Sequence, residues 1–118
     1  MTTPNPAKGE IWLVDFNPTI GAEIQKQRPA LVVSSTTIGV LPLRIVVPFT
    51  SWQSNFGQRS WMVRIAASKE NGLTNESAAD CFQVKSVSTS RFIRRMGVVP
   101  LPILDDIVET IAIIIEAN

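Results

Sequence analysis

GEIWLVDFNPTIGAEIQKQRPALVVSS, residues 9–35, is the stretch whose reading decides the fold. Two strand-like apolar runs flank a loop of about a dozen residues, a length that compact domains seldom leave structureless unless the loop works. That loop holds Pro18, Gly21, Glu23, Lys26, Gln27 and Arg28. Pro29 fixes its own backbone and pushes Arg28 towards an extended conformation, which pre-orients a long cationic side chain. The pattern predicts a loop that delivers a cation to a phosphate.

Working outward, EIWLVDF (10–16) alternates faces as a strand does, and Asn17-Pro18 stops it. Residues 1–8, with two prolines, read as a loose arm ahead of a single domain over 9–118. Residues 30–35 and LRIVVPF (43–49) are near-continuous apolar strands, of the kind buried on both faces. SWQSNFGQRS (51–60) reads as a mobile polar loop and 61–66 as a short strand. Residues 68–77 read as turns, 79–87 as one alternating strand, and 96–99 as a short sixth. After Pro100 and Pro102, a helix over 103–117 places Ile103, Leu104, Ile107, Val108, Ile111, Ile114 and Ile115 on one stripe. Short strands followed by one amphipathic helix predict an α+β, mainly β fold: a small, bent antiparallel sheet or partly open barrel capped by the helix.

Composition narrows the chemistry. The 118 residues suit one domain, and no apolar run reaches the roughly 20 residues of a membrane helix. The start MTTPNPAK lacks the apolar centre of a secretory signal, and a lone Cys81 fits a reducing cytoplasm, so a cytoplasmic protein is expected. The absence of histidine removes the commonest general base and the Ser-His-Asp and Cys-His arrangements. An enzyme built on this chain works with arginine, hydroxyls, amides or carboxylates. Net charge is +1, yet Lys85, Arg91, Arg94 and Arg95 fall in an acid-free stretch, a hint of a polyanionic partner against the plainer reading of a solvated charge run.

Thr50 and Ser51 sit where the VVPF strand ends, at the rim of the sheet, where a scaffold can present a hydroxyl or simply turn the chain. Trp52 and Phe56, in the same loop as Arg59, read as platforms for splayed bases. Trp12 and Trp61 fall within strand-like runs and read as core.

The blocks GEIWLVDF, Asn17-Pro18-Thr19, Gly21-Ala22-Glu23, RPALVVS, VPFTS, QVKSV and Ser90-Arg91-Phe92 together resemble the MazF/PemK family of toxins from type II toxin–antitoxin systems. The resemblance runs from about Gly9 to the end. It implies a homodimeric, SH3-like barrel endoribonuclease that cuts single-stranded RNA at short sequences without metal or other cofactor. The products would be a 2′,3′-cyclic phosphate and a 5′-hydroxyl. On the matching motifs, the family's catalytic arginine is Arg28, its threonine Thr50 and its loop acid Glu23. Lys26, Gln27, Ser51, Trp52, Phe56, Arg59, Gln83 and Lys85 would contact RNA, with Gln83 reading a base edge and Lys85 a phosphate. Arginine effectively keeps its proton, so the proton acceptor is left among Glu23, water and a perturbed Arg28. Phe82 stands where the family usually carries aspartate, and reads as added core packing or as a stacking surface. The expected protein partner is an antitoxin whose acidic C-terminal segment covers the RNA groove, in a complex that also binds DNA.

Two alternatives fit the same fold. CcdB-like relatives poison DNA gyrase without cutting RNA, but they end in Trp-Gly-Ile where this chain ends IEAN. An inactive binding module on the same fold is the other.

Overall fold

The computed structural model describes residues 4–18 and 20–117. Strand β1 (Glu10–Asp15) pairs antiparallel with β2 (Gln27–Val32), and β2 with β3 (Leu43–Ser51). Beyond β3 come β5 (Ser77–Asp80) and then β4 (Met62–Ile65), while β7 (Phe92–Val98) pairs with the other side of β1. β6 (Lys85–Ser88) pairs with the first half of β3. The order is β4-β5-β3-β2-β1-β7, so the sheet ends on β4 and β7 and does not close. The bent, partly open antiparallel sheet read from the sequence is the one observed.

Alternation sorts the side chains onto two faces. Ile11, Leu31, Val47, Phe49 and Ala79 face helix α1 (Leu101–Ile114), whose Leu104 and Ile107 are buried among them. Val14, Ala30, Val32 and Val46 face the other way and join Phe16, Val87 and Phe92 in a second cluster. Each fully buried aliphatic or aromatic side chain contributes about 1.5–3 kcal/mol, so the two clusters fix the register of β1–β3. Slipping a strand by one residue would send every side chain to the wrong face. The helix starts two residues earlier than the stripe predicted, because Pro102 fits its first turn. The stripe is also narrower, since Val108 and Ile115 are exposed.

The expected single strand over 79–87 is two strands. Val46 faces Lys85 and Phe49 faces Ala79, so Val47 and Pro48 stand against five residues, 80–84. The surplus is taken up by a 3-10 turn, Cys81–Gln83, with Asp80 Oδ1 accepting the Phe82 N–H at 3.2 Å. β7 begins at Phe92 rather than at 96, with two irregularities in its pairing to β1. Its Gly97 lies against the 68–72 turn, where a Cβ would stand 2.2 Å from the Glu70 carbonyl oxygen. Buried Asn71 builds that turn, accepting the Ser68 and Leu73 N–H groups and donating to the Ala66 carbonyl.

The arm expected to be loose is tied down over 5–8. Pro6 is buried, its carbonyl accepts from Arg44 Nε at 2.8 Å, and the Ala7 N–H donates to Glu10. Residues 1–3 of that arm, and Thr19, lie outside the described residues. Residues 51–60 are not a free loop either. A 3-10 turn, Ser54–Gln58, folds Phe56 inward to 7% exposure. No helix is long and apolar enough to cross a membrane among the described residues.

Candidate active site

Arg28 is the second residue of β2, a strand position rather than the end of a loop. The β2–β3 register runs Val32↔Val46, Leu31↔Val47, Ala30↔Pro48 and ends there, two residues short of Arg28 on β2 and of Thr50 on β3, where β3 goes on to pair with β5. Arg28 and Thr50 together line a cavity of about 150 Å³ with Ser51, Thr74, Asn75 and Ser77. That is about five water volumes at ~30 Å³ each. Arg28 Nε makes one long hydrogen bond, to the Gln25 carbonyl at 3.4 Å. A planar cation and several hydroxyl and amide donors converging on one small cavity can hold an anion.

Thr74, Asn75 and Ser77 were not picked out from the sequence, where LTNES looked like turn chemistry alone. The signal was its density of hydroxyl and amide side chains. From Thr50 a row runs across the sheet, since Thr50 faces Ala78 and Ala78 faces Arg64. Arg64 is engaged by a bidentate pair with Glu76, at 2.7 and 2.9 Å, and stacks over Trp52 at 4.8 Å. The pairing raises the Arg64 pKa and lowers that of Glu76, the hydrogen bonds outweighing a small opposing desolvation.

Glu23 does not line the Arg28–Thr50 cavity. One carboxylate oxygen lies 3.6 Å from Lys85 Nζ and the other accepts the Ile20 N–H at 3.3 Å. Lys85 is committed to that pair and also lies over the Phe16 ring. Gln83 is engaged at both ends: Oε1 accepts the Ile24 N–H at 2.6 Å, and Nε2 donates to Asp80 Oδ2 at 2.9 Å. It ties the 20–26 loop to the 3-10 turn. Lys26 and Gln27 are exposed, the first with φ 68° and its N–H donated to Asn17 Oδ1. Ser51 closes the rim beside Thr50, facing Ser77.

The aromatic expectations change places. Phe56, expected as a base platform, is buried, edge-on to Trp52 with Arg59 over its ring at 4.8 Å. Trp52 is half-buried between Phe56 and Arg64. Phe82, read mainly as core, is 67% exposed. It lies edge-on to Trp61, which sits in the turn before β4 rather than in the core. Trp12 is half-buried against Phe92, with its ring N–H donated to Glu10. The basic segment is also largely used up internally. Arg91 donates to the Asp15 and Asn17 carbonyls and Arg95 pairs with Glu10 at 2.9 Å. Burial pushes the Glu10 pKa up, but hydrogen bonds from Trp12, Ala7 and Arg95 outweigh it and hold the carboxyl below its ordinary range.

Comparison with known proteins places this geometry in context. Residues 7–115 match the family described as the PemK-like, MazF-like toxin of type II toxin–antitoxin system. Over 96 residues the chain is 33% identical to the endoribonuclease MazF9 of Mycobacterium tuberculosis, covering 76% of this chain and 79% of that one. Over 111 residues it is 32% identical to the endoribonuclease PemK of Escherichia coli, covering 92% and 80%. The fold is similar to MazF from Deinococcus radiodurans, with a TM-score of 0.80 at 22% identity over 94% of this chain and 96% of the other.

Proposed function

The chain belongs to the PemK-like, MazF-like toxin family of type II toxin–antitoxin systems, and from that premise we infer that it is a toxin endoribonuclease. The observation that carries the reading is that Arg28 and Thr50, from adjacent strands, line one cavity.

In the proposed reaction the 2′-hydroxyl oxygen of a nucleotide in single-stranded RNA attacks its own 3′-phosphate. The new O2′–P bond closes a 2′,3′-cyclic phosphate, the P–O5′ bond breaks, and the 5′-oxygen leaves as a hydroxyl after taking a proton from solvent water. Negative charge grows on the non-bridging oxygens as the new bond forms. The Arg28 fork meets that charge with two parallel N–H donors, and Thr50 supplies a third. Asn75 and the hydroxyls of Ser51 and Thr74 solvate the rest of the phosphodiester.

None of the residues lining this cavity is a carboxylate. The 2′-hydroxyl proton therefore passes to solvent water, and rate enhancement comes from charge stabilisation and in-line positioning. Glu23, held by Lys85, shapes the loop rather than taking the proton. With the family reading, the reaction is proposed to run without a metal.

The biological setting we propose follows the family. The protein acts in the cytoplasm as a homodimer, cuts RNA so that translation and growth stop, and is silenced by an antitoxin whose acidic segment covers the RNA groove. A segment of that kind orders on binding and competes with the RNA backbone for Arg28. Incubating purified protein with a long single-stranded RNA in EDTA tests the chemistry. The 5′ ends produced should accept a kinase label without prior phosphatase treatment. Ends that carry a 5′-phosphate, or intact RNA, would contradict it.

A further inference from the structure

Phe82 projects from the Cys81–Gln83 turn beside a cavity of about 550 Å³ that it lines with Trp61, Ala22, Glu23, Gln83 and buried Asp80. A phenylalanine 67% exposed on a pinned turn fills no packing gap. The turn is fixed on both sides, by the Asp80 cap on the Phe82 N–H and by the Gln83 bridge to Ile24. The ring is therefore presented rather than mobile. Trp61 stands 6.4 Å away at 75°, so the two rings meet at a corner. Arg59 lies over the Trp61 ring at 5.9 Å and adds positive charge at the rim.

The position of this corner relative to the clamp identifies its occupant. Thr50 faces Ala78, and Asp80, two residues along β5, points to the same side of the sheet. At about 3.3 Å per residue along β5 and ~4.8 Å between strands, the start of the Phe82 turn lies roughly 8 Å from Thr50. That is the reach of one nucleotide from a clamped phosphate. We propose that the Phe82–Trp61 corner receives an unpaired base of the substrate RNA next to the scissile phosphate and holds it by stacking. The proposal rests on the endoribonuclease reading and adds a specificity-determining residue to it. Because Gln83 and Asp80 spend their polar groups on the turn and the loop, and Glu23 spends its carboxylate on Lys85 and the Ile20 N–H, recognition here depends on ring area. A purine, with the larger π-face, is preferred at this position.

Binding is tested without turnover, using 2′-deoxy ten-mers of mixed sequence that each carry one 2-aminopurine, a base whose fluorescence is quenched on stacking. Wild-type protein should quench the probe placed in the corner. Phe82→Ala and Phe82→Leu should lose the quench and roughly 5- to 100-fold in affinity, the range of a lost base–aromatic stack. Phe82→Trp should keep both. On ribo-oligonucleotides Phe82→Ala should raise KM, leave kcat nearly unchanged and flatten the purine preference. Equal affinity, quench and KM in Phe82→Ala and wild type would overturn the proposal while leaving cleavage intact. Stacking without any cleavage would instead remove the endoribonuclease reading alone. Unchanged RNA binding in Phe82→Ala combined with weakened binding of an acidic peptide would reassign the corner to a protein partner and overturn the proposal.

Discussion

Ile24 and Gln83, 59 residues apart in sequence, are joined by a 2.6 Å hydrogen bond from the Ile24 N–H to Gln83 Oε1. The same carboxamide donates to buried Asp80, so one side chain anchors both the 20–26 loop and the turn that carries Phe82.

Replacing Gln83 with leucine strips the Ile24 amide of its acceptor and takes one donor from the Asp80 carboxylate. Leaving such groups unsatisfied costs about 1–3 kcal/mol. Thermal unfolding should report that loss, and hydrogen exchange at the Ile24 amide should accelerate. An unchanged exchange rate would mean that the loop is held some other way.

Glu23 is held by Lys85 on the exposed side of the loop, outside the clamp. Exposed ion pairs contribute at most about 1 kcal/mol, so Glu23→Gln should keep kcat within about fivefold. The acidic side of the pH–rate profile should keep its shape. Loss of an acidic limb near the carboxylate range, with a hundredfold lower kcat, would return Glu23 to the chemistry.

How far the sequence carries can be judged on particular residues. Arg28 and Thr50 were legible as polar positions, the first from Pro29 beside it and the second from its place at a strand end, and their joint role came with the family resemblance. The split at Cys81–Gln83 was not, because the surplus of residues over β3 exists only once both partners are aligned. Phe56 and Phe82 exchanged roles for a related reason. An aromatic in a polar run and one in an alternating run look exposed and buried by periodicity, whereas the short 3-10 turns reverse both. Arg91 and Arg95 looked free because their partners, the Asp15 and Asn17 carbonyls and Glu10, are distant in sequence.

Gly97 meets the Glu70 carbonyl so closely that a Cβ would lie 2.2 Å from it. Both atoms belong to backbone held by the Val98 N–H to Glu70 carbonyl bond at 2.9 Å. Gly97→Ala should therefore destabilise the domain by about 1–3 kcal/mol, the usual range for overpacking. Chemical denaturation gives the number, and a neutral effect would show that the 68–72 turn shifts freely.

Burial pushes the Cys81 thiol up to about 12, with the nearby Asp80 charge adding to the effect. The native thiol thus holds its proton where an unfolded chain loses it, above the ordinary 9.0. This contribution to stability is complete below pH 9 and fades as pH rises towards 12. Thiol reagents at pH 8 should label Cys81 only at the rate of unfolding, and Cys81→Ala should remove that part of the alkaline decline. Prompt labelling of native protein would contradict the burial.

The central claim is that Arg28 and Thr50 form one anion clamp, and single-turnover RNA cleavage in EDTA by Arg28→Ala and Thr50→Ala tests it most directly. Each variant should fall by about 10²–10³ in rate, with unfolding temperatures close to wild type. The double variant should lose much less than the product of the two. Cleavage by a folded Arg28→Ala protein at the wild-type rate would contradict the account.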